Sequence, residues 1–229
     1  MKIVYASYRK AEIGREKFVR RWRYHGALAM LMPSFFGPVV RYVQNDPVPD
    51  IERIAGAIRY DAVGELHYEN AEGLMRSLTA PETVETITPD GDEFFDRSEP
   101  SNALIGAFED EMLIDGEAGA FAIFLFLTAS PGSRSSLDRW EAISREFVAQ
   151  PEIRELISTA ALGRAADLEV ELSPVPSLLH LTVNGRAATG RIYADWRAFL
   201  ESNGRGEIME DDVLCTLCSC CSLYDLDAI

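Results

Sequence analysis

Three histidines stand in this chain, at positions 25, 67 and 180. Imidazole is the side chain whose ordinary pKa lets it take and return a proton near neutral pH, so the choice of a general acid/base is narrow. His25 falls on a stripe of Phe18, Trp22, His25, Leu28 and Ala29 whose spacing is that of one helix face. Arg21, one turn earlier, shares roughly that side, and a guanidinium there holds a carboxylate or phenolate by two parallel donors. Glu65 and His67 are two apart on a strand-like segment, so both point to one sheet face as an acid/base or orienting pair. His180 lies on a matching strand further along. Tyr5, Tyr42 and Tyr68 offer phenolic hydroxyls to a carbonyl oxygen. With Arg21 and Trp22 they make the candidate substrate-binding set, and His25, Glu65 and His67 the candidate catalytic set.

All four cysteines crowd into Cys215, Cys218, Cys220 and Cys221. Four thiolates close a tetrahedral metal site in other proteins. On a strand, however, Cys215 and Cys221 face one way and Cys218 and Cys220 the other, and no second CxxC completes the usual spacing. The expectation is small apolar packing residues and no metal. No glycine-rich dinucleotide fingerprint, phosphate-binding loop or serine elbow occurs, so no organic cofactor is expected.

The elements that must position these groups belong to a chain of 229 residues with a formal net charge of −15. Hydrophobic residues make up 47% of it, enough for a packed core. The acidic balance argues against nucleic acid as a partner, since a phosphate backbone needs a basic footprint. The bases that are present cluster early, from Lys2 to Arg41, where they make a local positive field for a small anion. The longest apolar run, Ala118 to Ala129, is short of the roughly 20 residues that cross a bilayer. No leader precedes the first strand-like segment, and the cysteines staple no long loop, so a cytoplasmic protein without a membrane partner is expected.

The chain repeats itself. Shifted by 118 positions, Ile3–Tyr8 falls on Phe121–Phe126, Gly14 on Gly132, Arg21 on Arg139 and Trp22 on Trp140. The first half reads as a strand at Lys2–Tyr8, a helix at Arg15–Met32, strands at Val39–Gln44 and Ala62–Tyr68, a helix at Ala71–Leu78 and a strand at Asn102–Ile114. The second half reads as strands at Ala120–Thr128, Leu168–Leu172, Leu178–Val183 and Val213–Leu223, with helices at Ser136–Ala149 and Tyr193–Glu201. The fold class is thus α+β, built from two ferredoxin-like βαββαβ halves, residues 1–116 and 119–229. Each half leaves one apolar sheet face bare. The halves are therefore expected to pack sheet to sheet as a pseudo-dimeric α+β barrel within one chain.

The segment Phe18–Ala29, with Phe18, Trp22 and His25, followed by Arg41-Tyr42-Val43-Gln44-Asn45, resembles the EthD family of dimeric α+β barrel proteins. Asp61–Leu66 and Asp92–Asp96 are similar to that family as well. Ala27 stands where the family pattern has proline, and Ile143 stands at the histidine position of the second copy. The resemblance implies one competent half and one scaffold half. It also implies a cofactor-independent lyase or isomerase that dehydrates, decarboxylates, cyclises or isomerises an aromatic, polyketide-like or other carbonyl-bearing molecule. The substrate would be mostly apolar with an anionic end, and the protein a monomer or homodimer. The competing reading is a non-catalytic small-molecule binder or pathway accessory with the same barrel.

Overall fold

The computed structural model describes residues 1–47, 60–99, 102–127, 134–168, 172, 175–203 and 213–225. Residues 47, 134–136 and 213–225 are described by backbone alone. The first half runs β1 (Lys2–Ser7), α1 (Arg15–Met30), α2 (Pro33–Phe36), β2 (Val39–Pro47), β3 (Ala62–Tyr68), α3 (Ala71–Thr79), a π-helical turn (Thr83–Ile87), α4 (Thr88–Asp92) and β4 (Ala103–Ile114). The second runs β5 (Phe121–Leu127), α5 (Arg134–Val148), α6 (Pro151–Arg154), β6 (Thr159–Ala165), β7 (Ser177–Val183), α7 (Arg186–Asn203) and β8 (Val213–Asp225).

The strands close into an eight-membered antiparallel barrel in the order β1-β3-β2-β8-β5-β7-β6-β4. Within each half the order is fourth, first, third, second, which is the ferredoxin-like plan. The second strand of one half pairs with the fourth of the other at both seams, β2 with β8 and β4 with β6. Closure leaves none of these eight described strands with a free edge. The two apolar faces meet inside, where Val4, Ala6, Val63, Leu104, Phe108, Phe124, Phe126 and Leu178 form one core. Burying a phenylalanine as fully as Phe124 or Phe126 contributes about 1.5–3 kcal/mol.

Helices cover the outside. α1 buries Phe18, Trp22, His25, Gly26 and Ala29, a stripe repeating at three and four residues. It opens at Gly14, whose extended backbone (φ −62°, ψ 148°) brings the chain in from β1, and Pro33 sets the start of α2 beyond its end. Strand alternation then sorts β1 and β3 cleanly. Ile3, Tyr5, Leu66 and Tyr68 point towards the helices, while Val4, Ala6 and Val63 point into the barrel. Among the described residues no helix is long and apolar enough to cross a membrane.

One element was misplaced by pattern. The second strand of the second half is Thr159–Ala165, not Leu168–Leu172. The true strand, Thr-Ala-Ala-Leu-Gly-Arg-Ala, is rich in alanine and glycine and has weak intrinsic strand preference. Leu168 and Leu172, which read as strand residues, pack instead against the helix-side core of the first half, and 169–171 lie outside the described residues. The helical segment from Thr83 to Asp92 has no apolar periodicity to mark it, and it carries a residue of the site.

Candidate functional site

α1 delivers His25 to the space between itself, the sheet and α4. The imidazole is buried, 6% exposed, and its Nδ1 lies 2.6 Å from Asp90 Oδ2. A carboxylate only accepts, so Nδ1 carries the proton and Nε2 keeps its lone pair. Asp90 comes from α4, where Pro89 occupies the first turn and fixes the backbone entry. Arg21 holds the other side of the same carboxylate, with Nη1 3.0 Å from Oδ2 and Nη2 2.5 Å from Oδ1, and Nη2 also reaches Glu93 at 3.0 Å. Phe94 and Phe95 wall the imidazole edge-on, at centroid distances of 5.4 and 5.9 Å.

The charges of this group follow from its surroundings. Burial pushes the His25 pKa below the ordinary value of 6.5, with the Arg21 and Arg97 charges adding to it, and Asp90 only partly opposes this. The ring is therefore neutral at neutral pH, which is the state a general base needs. Burial alone would raise Asp90, but the hydrogen bonds from Arg21 and His25 and their charges hold its carboxyl below the usual range.

His25 lines a pocket of about 140 Å³ together with Tyr5, Ala29, Phe35, Tyr42, Leu66, Tyr68, Ile87, Gly91, Phe95 and Ile105. Comparable apolar cavities of about 150 Å³ hold one benzene ring. Gly64 makes room for the floor: a Cβ there would sit 2.1 Å from the Tyr5 ring. Tyr5 and Tyr42 hydroxyls are 3.0 Å apart, and Trp22 Nε1 donates to Tyr5 at 3.4 Å. Burial raises the pKa of Tyr5 and of Tyr42, and pushes Tyr68 up to about 12, so all three present hydroxyls and not phenolates.

The structure does not bring all the candidate residues to one place. Arg21 does not line the pocket, because its guanidinium is taken up by Asp90 and Glu93; it positions the carboxylate behind His25. Trp22, fully buried beneath the pocket, likewise supports Tyr5. Glu65 and His67 do share a face, but it is the barrel interior, across the sheet from His25. There Glu65 Oε2 is 3.6 Å from both His67 Nε2 and His180 Nδ1 and 3.8 Å from Lys2 Nζ, and Asn45 donates to its Oε1 at 2.9 Å. Lys2 also reaches Asp110 at 3.0 Å. Burial opposes the Glu65 charge, but His180, His67 and Lys2 outweigh it, so its pKa lies well below the usual value. Burial pushes His180 down to about 4. Among the described residues no group of histidine, cysteine and carboxylate side chains is arranged to hold a metal ion. The four cysteines fall in β8, whose side chains lie outside the description.

The described residues of the second half put apolar side chains at the matching places. At the positions 118 further on, Ile123, Ile143 and Phe147 stand for Tyr5, His25 and Ala29, and all three are fully buried in one apolar core. The residues that pattern reasoning missed are Asp90 and Gln44. No periodicity marks Asp90, whereas Gln44 could have been found by alternation from Tyr42.

Residues 10–98 match the EthD domain. That EthD stretch contains Arg21, His25, Gln44 and Asp90, and so bears out the family likeness of the first half. Among solved structures, an anthrone oxidase-like protein matches over 98% of this chain and 93% of its own, at 7% identity and a TM-score of 0.61. Chlorite dismutase from Candidatus Nitrospira defluvii matches over 99% and 92%, at 11% identity and a TM-score of 0.52. At such identities the structural likeness speaks to the fold, an α+β barrel with a curled antiparallel sheet. No curated protein sequence matches the chain.

Proposed function

We propose that the protein is an enzyme acting on a small, mostly apolar molecule with a carbonyl or phenolic oxygen, and that His25 moves the proton. The observation that carries this reading is the His25–Asp90 pair set into an aromatic-walled pocket beside three neutral phenols. Asp90 fixes the tautomer and balances the imidazolium that forms when Nε2 takes a proton from carbon or oxygen. A tyrosine hydroxyl meets the oxygen on which charge builds, as preorganised donors do in other proton-transfer sites. The proton then returns to a neighbouring position or a leaving group, which covers isomerisation, dehydration, decarboxylation and cyclisation. The chemistry rests on side chains, in a cofactor-independent lyase or isomerase. Residues 1–116 are the working half, and residues 119–229 a diverged copy that completes the barrel.

The test begins with metabolites from cells with and without the gene, followed by incubation of any accumulating compound with purified protein. Conversion should fall about 10²–10⁴-fold in His25→Ala, as loss of a general base does. Turnover at the parent rate in that variant would end the assignment of His25 and leave a binder.

A further inference from the structure

Behind the pocket floor runs a row of hydrogen bonds that the proton-transfer reading does not use. Arg23 Nη1 donates to Gln44 Oε1 at 2.7 Å, which fixes the orientation of the amide. Both amide hydrogens of Gln44 are then committed, one to the Trp22 carbonyl at 2.9 Å and one to the Tyr42 hydroxyl at 3.0 Å. Tyr42 oxygen is thus an acceptor, and its own hydrogen has to go elsewhere. Tyr42 is 2% exposed, so leaving that hydrogen unpaired would forfeit its hydration with nothing in return. Tyr5, the less buried of the two phenols, lies 3.0 Å away, within reach to accept it. Trp22 Nε1 also donates to Tyr5, so the Tyr5 oxygen accepts twice. One hydroxyl hydrogen is left over in the network. It belongs to Tyr5, which lines the pocket.

We infer that Arg23, Gln44, Tyr42 and Tyr5 form a one-directional donor chain that carries the influence of a guanidinium to a single hydroxyl aimed at the oxygen of a bound aromatic ketone or its enolate. Tyr5 touches the ligand; Tyr42, Gln44 and Arg23 are positioning residues. Each donor polarises the next, so the last hydroxyl is a stronger donor than an isolated phenol. Arg23 is also paired with Asp46, which tempers its charge without reversing the direction of the chain. The ligand class follows from where the chain ends. A donor at the wall of an aromatic-lined space suits a ring bearing a conjugated carbonyl.

The inference rests on the pocket being the ligand site, and the test separates the two. The probe is acetophenone with an isotope-labelled carbonyl, its binding followed by ligand-observed NMR and its C=O stretch by difference infrared spectroscopy. In the parent protein the stretch of the bound ketone should lie below its position in hexane. Tyr5→Phe should bind the ketone and return the stretch to the hexane position. Gln44→Glu conserves volume but turns the chain round: the carboxylate accepts from Tyr42, Tyr42 accepts from Tyr5, and the downshift is lost with Tyr5 intact. Gln44→Met, which neither donates nor accepts strongly, should lose only part of it. Arg23→Lys should keep more of the downshift than Arg23→Met, a distinction no packing role would make. Should the buried Gln44 variants fail to fold by circular dichroism, Tyr5→Phe and the Arg23 pair carry the test. An unshifted carbonyl in the bound parent complex, or an unchanged downshift in Tyr5→Phe, overturns the chain and leaves the pocket standing. Absence of binding to the parent protein overturns both.

Discussion

His25 and Asp90 meet at 2.6 Å across 65 residues of sequence, joining the middle of α1 to the short helix that precedes β4. The contact decides the tautomer of the imidazole, because the carboxylate has no proton to give. It also sets the pH behaviour. With burial lowering the His25 pKa below 6.5, the base form prevails at neutral pH, and activity should be level there and fall only on acidification below that value. Asp90→Asn removes the group that holds the His25 pKa up. The acid limb should therefore move to lower pH while turnover drops, since the amide cannot fix the tautomer or balance the imidazolium. A titration of the His25 ring by NMR alongside the rate profile checks both. An acid limb that stays in place in Asp90→Asn would separate the pair from the chemistry.

The second half shows how the pocket closes. Phe147 stands 118 positions beyond Ala29 and is fully buried where Ala29 borders open space. Ala29→Phe in the first half should accordingly fill the pocket and abolish ketone binding. The strain of the larger side chain should cost about 1–3 kcal/mol of stability. The measurement is calorimetric unfolding together with ligand-observed NMR. Undiminished binding in a folded Ala29→Phe protein would place the ligand somewhere else.

Much of this architecture was legible in the residues. β3 was bounded correctly because Ala-Val-Gly-Glu-Leu-His-Tyr alternates between turn signals; the stripe of α1 marks its face and its start at Arg15, but the helix ends at Met30, two residues short of the end expected from Pro33. β6 was missed because alanine and glycine pair in a barrel without advertising a strand, their strand form being imposed by neighbours on both sides. The site was legible in part. His25 and the tyrosines follow from period and alternation, which are local. Asp90 does not, since its role depends on where a helix without apolar periodicity lands. The same limit explains Glu65 and His67: alternation put them on one face, but only the closed barrel shows that this face is opposite the pocket.

That interior face has its own pH signature. His180, lowered to about 4 by burial, favours the fold only while neutral, so its contribution is complete above the unfolded value of 6.5 and is lost as the pH falls towards 4. Glu65, held well below its usual value, contributes above 4.5 and loses that contribution as acid protonates it. Both act in one direction. The melting temperature should decline as the pH drops from 7 through 4, and His180→Gln should flatten the upper part of that decline. Lys2→Met should cost about 3–5 kcal/mol at neutral pH, because it leaves Glu65 buried without its cation. A melting temperature indifferent to pH between 7 and 4 would count against this account of the interior.

Gly64 gives the most local test of the floor. It lies opposite Tyr5 in the β1–β3 ladder, and the Tyr5 ring lies over its Cα. A Cβ at that position would stand 2.1 Å from Cζ and 2.5 Å from the hydroxyl oxygen, well inside any tolerable contact. Gly64→Ala must therefore push the phenol aside, although the added methyl changes neither charge nor strand pairing. The hydroxyl bond between Tyr5 and Tyr42 and the donation from Trp22 should both be lost, while β3 keeps its partners on either side. The expected result is a folded barrel, destabilised by about 1–3 kcal/mol from overpacking, in which a bound ketone shows the unshifted carbonyl stretch of Tyr5→Phe. Tyr5→Phe combined with Gly64→Ala should shift the carbonyl no further than either change alone, since both act on one hydroxyl. A downshift that survives Gly64→Ala would mean that some other donor meets the ligand oxygen.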